Sequence, residues 1–364
     1  MSFSFGGNIR VTVFGQSHSE AVGAVIEGLP AGERLDLDGI RTFMRRRVPG
    51  AGELTTARRE ADEFRVLSGL LDGVTCGSCI CAVIENSDTR PGDYEQLKRV
   101  PRPSHADFPA FVKYGGFNDV RGGGHFSARL TAPLCFAGAA AAQLLERRGV
   151  TVAARVRSIA GIDDLGIDFT DPDFDALKAA ARHDIPALDE NRRELMREAI
   201  LEAKRCGDSV GGVVECFASG LPAGLGDPPF DGVENRLSAA LFGIPAVRGV
   251  EFGAGFAAAG MRGSEHNDAY YYADGGRGAV RTLTNNHGGA LGGLTSGMPL
   301  VLRAAFKPTA SIAQKQRSVD LISKTETELQ IHGRHDPCVV PRAVPCVEAV
   351  AAIVLLDILG TALK

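Results

Sequence analysis

The sequence repeats one stretch, Val25-Ile26-Glu27-Gly28-Leu29-Pro30-Ala31-Gly32, as Val214-Glu215-Cys216-Phe217-Ala218-Ser219-Gly220-Leu221-Pro222-Ala223-Gly224. Both copies indicate a strand that ends in a Gly-Pro turn, and each continues through an Asp-Gly pair into a helical pattern with an Asp near its start. Two copies are too few for a solenoid. The repeat therefore predicts two similar halves, at about 1–150 and 151–364, packed as one pseudo-symmetric domain. The alternative is the chance recurrence of a turn pentapeptide.

Strand and helix patterns alternate irregularly on both sides of this repeat. Strand-like runs lie at Ile9–Phe14, Ala24–Glu27, Ser78–Glu85, Thr151–Ile159, Gly212–Ala218 and Pro299–Phe306. Helical patterns lie at Leu37–Arg47, Ser127–Arg148, Glu190–Lys204, Gly232–Phe242 and Val344–Leu363. Because no repeated βαβ alternation is present, the order favours an α+β fold over a doubly wound sheet.

Charge and hydropathy exclude several classes of protein. The 364 residues carry 40 Lys+Arg against 44 Asp+Glu, a net charge of -4, whereas a basic nucleic-acid binder carries a large positive excess. Met1–Gly7 is polar and Gly-rich, unlike a signal peptide. The most apolar stretch, Leu130–Leu145, is shorter than the roughly 20 residues that a bilayer requires, and Val344–Leu363 carries two carboxylates. We therefore expect no membrane span and no nucleic-acid partner.

The eight cysteines indicate a cytoplasmic protein with reduced thiols, because no secretory signal accompanies them. Cys76, Cys79 and Cys81 cluster in an apolar, strand-like run, and no second ligand pair has zinc spacing. The prediction is therefore small buried core thiols and no metal site.

Histidines and arginines collect in loops. Gly15–Ser19 places His18 beside two hydroxyls, and Arg102–Asp107 combines a cation, an imidazole and a carboxylate at a proline turn, where Ser104 is also a candidate helix N-cap. Asp119–Arg129 carries three glycines between Arg121 and Arg129 ahead of a helical pattern. Bare backbone N–H groups flanked by arginines favour an anion site over a flexible hinge.

Three further segments have the same character. Asn285–Gly297 is rich in glycine, and Lys307–Ser311 supplies a cation and two hydroxyls, as a phosphate-bearing planar cofactor requires. Gly333–Pro337 combines Arg334, a histidine and Asp336 before the last helix. Neither a dinucleotide fingerprint nor a P-loop is present. The alternative for the glycines alone is a set of tight turns between strands.

Taken in order, these segments resemble the chorismate synthase family over nearly the whole chain. The blocks that carry the resemblance are Arg102–Asp107, Lys113-Tyr114-Gly115, Arg121–Gly124, Ser127-Ala128-Arg129, Lys307-Pro308-Thr309 and Gly333–Val339. The resemblance implies a β-α-β sandwich, a homotetramer and bound FMN. It also implies a lyase of the shikimate pathway that converts 5-enolpyruvylshikimate 3-phosphate to chorismate and phosphate by 1,4-elimination. Reduced FMN is then required, with NADPH needed indirectly and a separate flavin reductase expected.

The resemblance also assigns roles to single residues. His18 is implied as the acid that assists phosphate departure, His105 as the group that keeps the reduced flavin correctly protonated, and Asp336 as the aid to proton removal at the flavin N5. The implied substrate-binding residues are Ser17, Arg47, Arg102, Ser127, Arg129 and Arg334. The implied FMN-binding residues are His125, Phe126, Ser127, Ala246, Gly292, Lys307, Pro308, Thr309, Ala310, Ser311 and Arg334.

Several positions depart from the family pattern. Gln16 and Ser19 replace a glutamate and a glycine around Ser17-His18, Ser104 replaces a glycine, His125-Phe126 stands for Arg-Ser, and Ala310 replaces a serine. Glu53 stands where an arginine normally follows Arg47. Since a carboxylate opposes an anionic substrate, we expect Glu53 to turn away, or Arg58 or Arg59 to substitute for the arginine.

Two other functions are compatible with these residues. The departures suggest a catalytically impaired homologue that binds flavin or a phosphoester without turnover, although His18, His105 and Asp336 are intact. A metal-dependent hydrolase using the same three side chains is disfavoured because no HxxxH pair is present and the one CxxC pair, Cys76 and Cys79, has no second ligand pair at zinc spacing.

Overall fold

Two five-stranded antiparallel sheets enclose a layer of helices. The computed structural model describes residues 3–48, 54, 62–87, 96–273, 278–331 and 336–362. The strands are β1 (Ser4–Phe5), β2 (Arg10–Gly15), β3 (Ala21–Glu27), β4 (Phe64–Ser68), β5 (Leu70–Leu71), β6 (Val74–Thr75), β7 (Ile80–Glu85), β8 (Thr151–Ile159), β9 (Ile162–Asp163), β10 (Gly212–Ser219), β11 (Val247–Phe252), β12 (Tyr270–Tyr272), β13 (Val280–Thr282), β14 (Ala290–Leu291), β15 (Leu294–Thr295), β16 (Leu300–Phe306), β17 (Gln316–Asp320) and β18 (Thr325–Leu329). The α-helices are α1 (Leu37–Arg45), α2 (Asp107–Tyr114), α3 (Thr131–Glu146), α4 (Phe174–Ala180), α5 (Glu190–Arg205), α6 (Val233–Leu241), α7 (Gly263–His266) and α8 (Val340–Ala362).

The two sheets share one strand order. The first is β1-β2-β3-β7-β4, and the second, given from the opposite edge, is β9-β8-β10-β16-β11. Strands β2, β3, β7 and β4 therefore correspond to β8, β10, β16 and β11. In each half of the chain, the strand that leads into the repeated turn, β3 or β10, is followed by a helix, α1 or α6. Each half then ends with a long helix, α3 or α8. This arrangement confirms the predicted α+β fold. The description as one domain with a boundary near residue 150 stays a prediction.

The repeated turn is fastened in the same way in both copies. The Thr75 hydroxyl donates to the Pro30 carbonyl at 2.6 Å and accepts the Glu33 amide at 2.9 Å. The Thr295 hydroxyl donates to the Pro222 carbonyl at 2.6 Å and accepts the Leu225 amide at 2.9 Å. Each threonine lies in a short hairpin, β5–β6 or β14–β15, far along the chain from its turn. The repeat in sequence is therefore also a repeat in hydrogen bonding.

The core lies where α3 and α8 pack against each other between the sheets. They come close together at Gly138, where an added Cβ would lie 2.2 Å from the Ala349 Cβ, so this contact requires a residue without a side chain. Both helices are apolar enough, by length and composition, to cross a membrane. However, 83% of the apolar window at Ala128–Glu146 and 94% of that at Val340–Gly360 are buried inside the protein. They are core helices, as Val344–Leu363 was expected to be.

Several local predictions were wrong. Helix α6 is capped by Gly232, without a side-chain hydrogen bond, rather than by an Asp. Cys76 and Cys79 are exposed and Cys81 is half-buried, so these are not core thiols. Strands β4 and β11 were missed. Both are sheet edges with a break in register, and an edge strand needs no continuous apolar pattern.

Candidate functional site

A cavity of about 540 Å³ lies at the N-terminal ends of α3 and α8. Thr131, the first residue of α3, lines it, and so do Val339 and Ala343 at the start of α8. Both helix dipoles therefore present their positive ends to the cavity, which favours an anionic ligand. The predicted residues that line it are Arg102, His105, Phe126, Ser127, Ala246, Lys307, Thr309, Ala310, Ser311 and Asp336.

Arg102, Asp107 and His105 form one hydrogen-bonded cluster on the cavity wall. Arg102 Nε donates to Asp107 Oδ2 at 2.7 Å and Nη2 donates to Oδ1 at 2.8 Å, while Nη1 donates to Ser311 Oγ at 3.1 Å. His105 Nδ1 lies 2.6 Å from Asp107 Oδ1. The turn between them places Ser104 at φ 59°, a left-handed conformation in which the family's glycine is easier to accommodate. Ser104 does not cap α2, because that position is Ala106.

Electrostatics keep the His105 ring neutral and Asp107 ionised. Burial, together with the Arg102 charge, lowers the pKa of His105 below its ordinary value of 6.5, although Asp107 opposes the shift. Burial would raise the pKa of Asp107, but hydrogen bonds from Arg102 and His105 outweigh it and hold that pKa well below its usual range. With the Nδ1 proton held by Asp107, Nε2 is the atom left to exchange a proton.

The run Gly122–Gly124 lets backbone approach three of the predicted side chains. A Cβ on Gly122 would lie 2.4 Å from Ser17 Oγ and 2.6 Å from His18 Nδ1, and one on Gly123 would lie 3.3 Å from His105 Nε2. All three glycines have positive φ. The run is separated from α3 by a short 3-10 turn, so it does not itself form the helix N-terminus that we expected. Its glycines bring Ser17, His18 and His105 around one turn.

The loop that carries Ser17 and His18 is held by Asn86 and by the hydroxyl of Ser19. Asn86 Nδ2 donates to the Gln16 and Ser19 carbonyls, and Ser19 Oγ accepts the Gln16 amide at 2.9 Å. The serine that replaces the family's glycine therefore closes the loop. Ser17 is fully buried and His18 nearly so.

Arg47 and Arg129 form a second cluster around one carboxylate. Both guanidinium groups pair with Asp62, and Arg129 Nε also donates to Asn86 Oδ1 at 2.7 Å. Burial would raise the pKa of Asp62, but the two cations lower it overall. Neither arginine lines the cavity, although Arg47 Nη1 lies 3.4 Å from Thr131 Oγ1, which does. Two cations share one carboxylate here, which leaves a net positive charge.

Lys307–Ser311 follows β16, and it adjoins the first cluster because Ser311 Oγ accepts from Arg102. Burial, with the nearby charge of Arg248, lowers the pKa of Lys307. Its amide donates to the carbonyl of Ala246, which adopts φ 75°, so the two predicted cofactor contacts hold each other in place. Pro308 connects lining residues without lining the cavity itself.

Two predicted cofactor residues lie away from the cavity wall. His125 packs with its ring 4.1 Å from that of Phe126 and 5.6 Å from those of Phe3 and Tyr114. Gly292 lies in the exposed turn between β14 and β15. In the surrounding stretch, His287 is held between Asp268 and Ser296, at 2.5 and 2.9 Å. The structure gives this stretch the form of tight turns, and the role of Gly292 stays a prediction.

Asp336 lines the cavity and is paired with a residue that was not predicted. Arg342 Nη1 donates to Asp336 Oδ2 at 2.9 Å, and its Nε donates to the Arg47 carbonyl at 3.2 Å. Arg342 also lines the cavity, one turn into α8. Arg334, Glu53, Arg58 and Arg59 lie outside the described residues.

Sequence reasoning missed Arg342, Arg248 and Asp62. Arg342 lies six residues after Asp336, and its position near a helix start next to a predicted site was a usable signal. Asp62 has no local signal, because its partners are 15 and 67 residues away along the chain. Arg121, which was expected to bind an anion, instead pairs with Asp119 at 2.8 Å. Within the described ranges, no three His, Cys, Asp or Glu side chains are grouped as metal ligands.

Comparison with known proteins gives one consistent family. The family model described as chorismate synthase matches residues 9–359. The chain is 46% identical to chorismate synthase from Korarchaeum cryptofilum, over 97% of this chain and 96% of that protein. It is 47% identical to the one from Thermococcus gammatolerans, over 96% and 95%. A crystal structure of chorismate synthase, 28% identical in sequence, superposes with a TM-score of 0.77 and covers 99% of this chain and 94% of that one. The chain therefore belongs to the chorismate synthase family and is a lyase.

Proposed function

We propose that this lyase converts 5-enolpyruvylshikimate 3-phosphate to chorismate and phosphate by 1,4-elimination, and that it requires reduced FMN. The reaction is a step in the shikimate pathway of aromatic amino acid biosynthesis. The observation that carries the proposal is the cavity in which the Arg102–Asp107–His105 cluster, Lys307 and Asp336 meet at two helix N-termini. A substrate with one phosphate and two carboxylates requires this concentration of positive charge.

The residues of the cavity fit a flavin mononucleotide. Its volume of about 540 Å³ lies in the range of small-molecule sites. Phe126, Ile244, Phe306 and Val339 supply apolar walls for a planar ring, and Lys307 supplies a cation for a phosphate. When bound, reduced FMN would supply an electron to the substrate transiently and accept a proton from it. Thr309 and Ser311 would add hydroxyl groups next to Lys307.

The arginines divide the work of binding the substrate. Arg102 is already oriented by Asp107 and Ser311, so it meets an anion in the cavity without reorganising. Arg47 and Arg129 share Asp62, and Arg47 Nη1 lies 3.4 Å from Oγ1 of the cavity-lining Thr131. Two arrangements would let these arginines bind the substrate. In the first, one guanidinium group leaves Asp62 and pairs with a substrate anion. In the second, both stay on Asp62 and attract the anion electrostatically from beyond Thr131.

The proton transfers are assigned to three side chains. His105 is neutral near neutral pH because of burial and Arg102, and its Nε2 can take or return a proton. His18, packed against Gly122, is proposed to assist phosphate departure. Asp336, held by Arg342, is proposed to help remove the substrate proton.

Phosphate release under anaerobic conditions tests this function. Purified protein with chemically reduced FMN and 5-enolpyruvylshikimate 3-phosphate should release phosphate and form chorismate in equal amounts. Oxidised FMN should support neither product. Tight binding of FMN and substrate without either product, at high enzyme concentration, would show that the chain is a binding protein and not this lyase.

The remaining proposals concern the setting of the reaction. We expect a cytoplasmic homotetramer that relies on a separate NADPH-dependent flavin reductase. Sedimentation measures the assembly. Aerobic addition of NADPH and FMN should give no turnover until a flavin reductase is supplied, and turnover without it would assign the reductase activity to this chain.

A further inference from the structure

Two buried cysteines face each other at the floor of the cavity. Cys135 lies on the second turn of α3 and Cys346 on the second turn of α8, and their Sγ atoms are 3.8 Å apart. Cys346 lines the cavity, whereas Cys135 lies behind it with no exposed surface. Neither thiol has a part in the proposed elimination.

Helix packing fixes this pair in place. Gly138 and Ala349, which lie three residues after Cys135 and Cys346 respectively, form a close contact between α3 and α8. Because i and i+3 share a helix face, both thiols project into the same interhelical seam one turn closer to the cavity. The sulfurs are 3.8 Å apart, close to van der Waals contact, and have to approach each other by a further ~1.8 Å to form a bond.

The surroundings distinguish the two thiols. A hydrogen bond from Cys135, the charges of Arg47 and Arg342 and a bond from Thr131 lower the pKa of Cys346 to about 7, against the effect of burial. Burial raises the pKa of Cys135 well above its ordinary value. Cys346 lines the cavity whereas Cys135 lies behind it, so Cys346 is the sulfur that a small oxidant reaches first and Cys135 is the one positioned to resolve the product.

Other buried cysteines lack this combination. Cys216 lies in β10, and burial raises its pKa. Burial also raises the pKa of Cys338, to about 12, and neither residue lines the 540 Å³ cavity. They provide internal controls for the reactivity of a buried thiol.

We propose that Cys346 and Cys135 are a peroxide-reactive pair that closes to a reversible disulfide between α3 and α8. The Cys346 thiolate attacks hydrogen peroxide, breaking its O–O bond, to give a sulfenic acid and hydroxide. The Cys135 thiol then displaces the hydroxyl group of that sulfenic acid as water and forms the S–S bond. In total, two thiols are oxidised, one peroxide is reduced and two waters form. A dithiol reductant reverses the reaction.

The disulfide limits damage at the proposed active site. Without a resolving thiol, sulfenic acid proceeds to sulfinic acid, which a dithiol does not reduce. A permanent negative charge would then lie beside Arg47 and Arg342, and the disulfide avoids it. The inference depends only on the helix seam and the cavity, so it does not require the proposed substrate.

The test uses the full chain with its exposed thiols removed by Cys76→Ser, Cys79→Ser and Cys206→Ser. After brief treatment with equimolar hydrogen peroxide, the intact mass should fall by two hydrogens, about 2 Da. Peptide mapping should join Cys135 to Cys346, while Cys216 and Cys338 stay reduced. Dithiothreitol should restore the original mass. A Cys346 that stays reduced, or reacts no faster than Cys338, would overturn the proposal.

Two matched variants in that background test the order of events. With Cys135→Ser, dimedone should trap a sulfenic acid at Cys346, and longer exposure should give irreversible sulfinic acid. With Cys346→Ser, Cys135 should stay a thiol. Oxidation of Cys135 in that variant would contradict the assignment of Cys346 as the reacting thiolate. If either variant fails to fold, the mapped disulfide in the parent background still decides the main claim.

Discussion

Two buried arginine–carboxylate clusters have similar chemistry and different surroundings. In one, Arg155 donates to Glu215 at 2.7 and 3.0 Å and to Asp164 at 2.7 Å, and all three side chains have essentially no exposed surface. In the other, Arg102 also donates twice to one carboxylate, although its Nε and Nη2 bind different oxygens of Asp107, and His105 and a 540 Å³ cavity complete the cluster.

The difference shows what makes a charged cluster functional. Asp164 also accepts the Leu188 and Asp189 amides, so the partners of Arg155 are the protein's own groups and the cluster is closed. The Arg102 cluster instead ends on a titratable ring whose second nitrogen faces a bare glycine turn. A buried ion pair by itself therefore indicates a structural role. A cluster with a titratable side chain at a cavity indicates a catalytic or binding role.

The largest expected effect is on the closed cluster. Arg155→Ala leaves two buried carboxylates without their cation, so we expect a loss of about 3–5 kcal/mol in the free energy of unfolding. Denaturant unfolding measures it. Arg317→Ala is the control, because Arg317 and its partner Glu326 are both largely exposed and such a pair contributes about 1 kcal/mol or less. Equal losses in both variants would remove the distinction between a closed and a surface cluster.

The open cluster, which consists of Arg102, Asp107 and His105, and the cavity residue Asp336 should respond in turnover. His105→Ala and, separately, Asp336→Ala should each lower turnover by at least ~10²-fold while the fold is retained, since each removes a proton-transfer group. Steady-state chorismate formation measures this, and circular dichroism checks the fold. His183→Ala, at an exposed histidine, is the control. Near-wild-type rates in either site variant would contradict the proposed roles.

The glycine turn beside the open cluster should give the next largest effect. Gly122→Ala places a Cβ against Ser17 and His18, so misplacement of these groups should lower turnover by roughly 10- to 100-fold. Gly149→Ala is the matched control, because Gly149 also has positive φ but an added Cβ meets nothing within 4 Å. Both variants carry the same backbone strain, about 1–2 kcal/mol. A comparable loss of turnover in both would show that strain, and not contact with the site, is responsible.

The smallest effect concerns protonation within the open cluster. Asp107 raises the pKa of His105 against burial and Arg102, so Asp107→Asn should lower that pKa further below 6.5. NMR titration of the His105 ring measures it. A higher pKa in the variant would reverse the assignment of Asp107.

The same shift links pH to stability. Because the folded-state pKa of His105 is below its unfolded value, the unfolded chain binds the proton first as the pH falls. The contribution of His105 to the free energy of unfolding should therefore be fully present above about pH 6.5. It should decline as the pH falls toward the folded-state pKa. His105→Gln should remove this component, and an unchanged pH profile in that variant would show that other groups are responsible.

Sequence reasoning was most successful where a pattern is local. The strand Thr151–Ile159 was predicted with the bounds that the structure has, and α5 differs by one residue at its end. Ten of the predicted site residues line one cavity. They were predicted from motifs whose order along the chain indicates the family. The helices α2 and α4 were missed, since each is short and carries little periodic signal.

Other errors come from contacts between distant segments. Cys76 and Cys79 lie in an apolar run and yet are exposed, because the hairpin β5–β6 and the turn after it leave the sheet surface. Asp62 binds Arg47 and Arg129 only because β4 brings it beside both. Sequence spacing holds no record of such contacts, which form when the sheet and helix layers assemble.

The sequence by itself determined the α+β class, the repeated turn and the family, because each is written in the order and spacing of residues. Only the tertiary structure decided which charges face a ligand and which face each other. Arg47, Arg102 and Arg129 look equivalent in sequence, but Asp62 pairs with two of them away from the cavity wall while Arg102 lines the cavity. Burial and long-range pairing set the free energy of each charge, and both arise only when the two sheets close over α3 and α8.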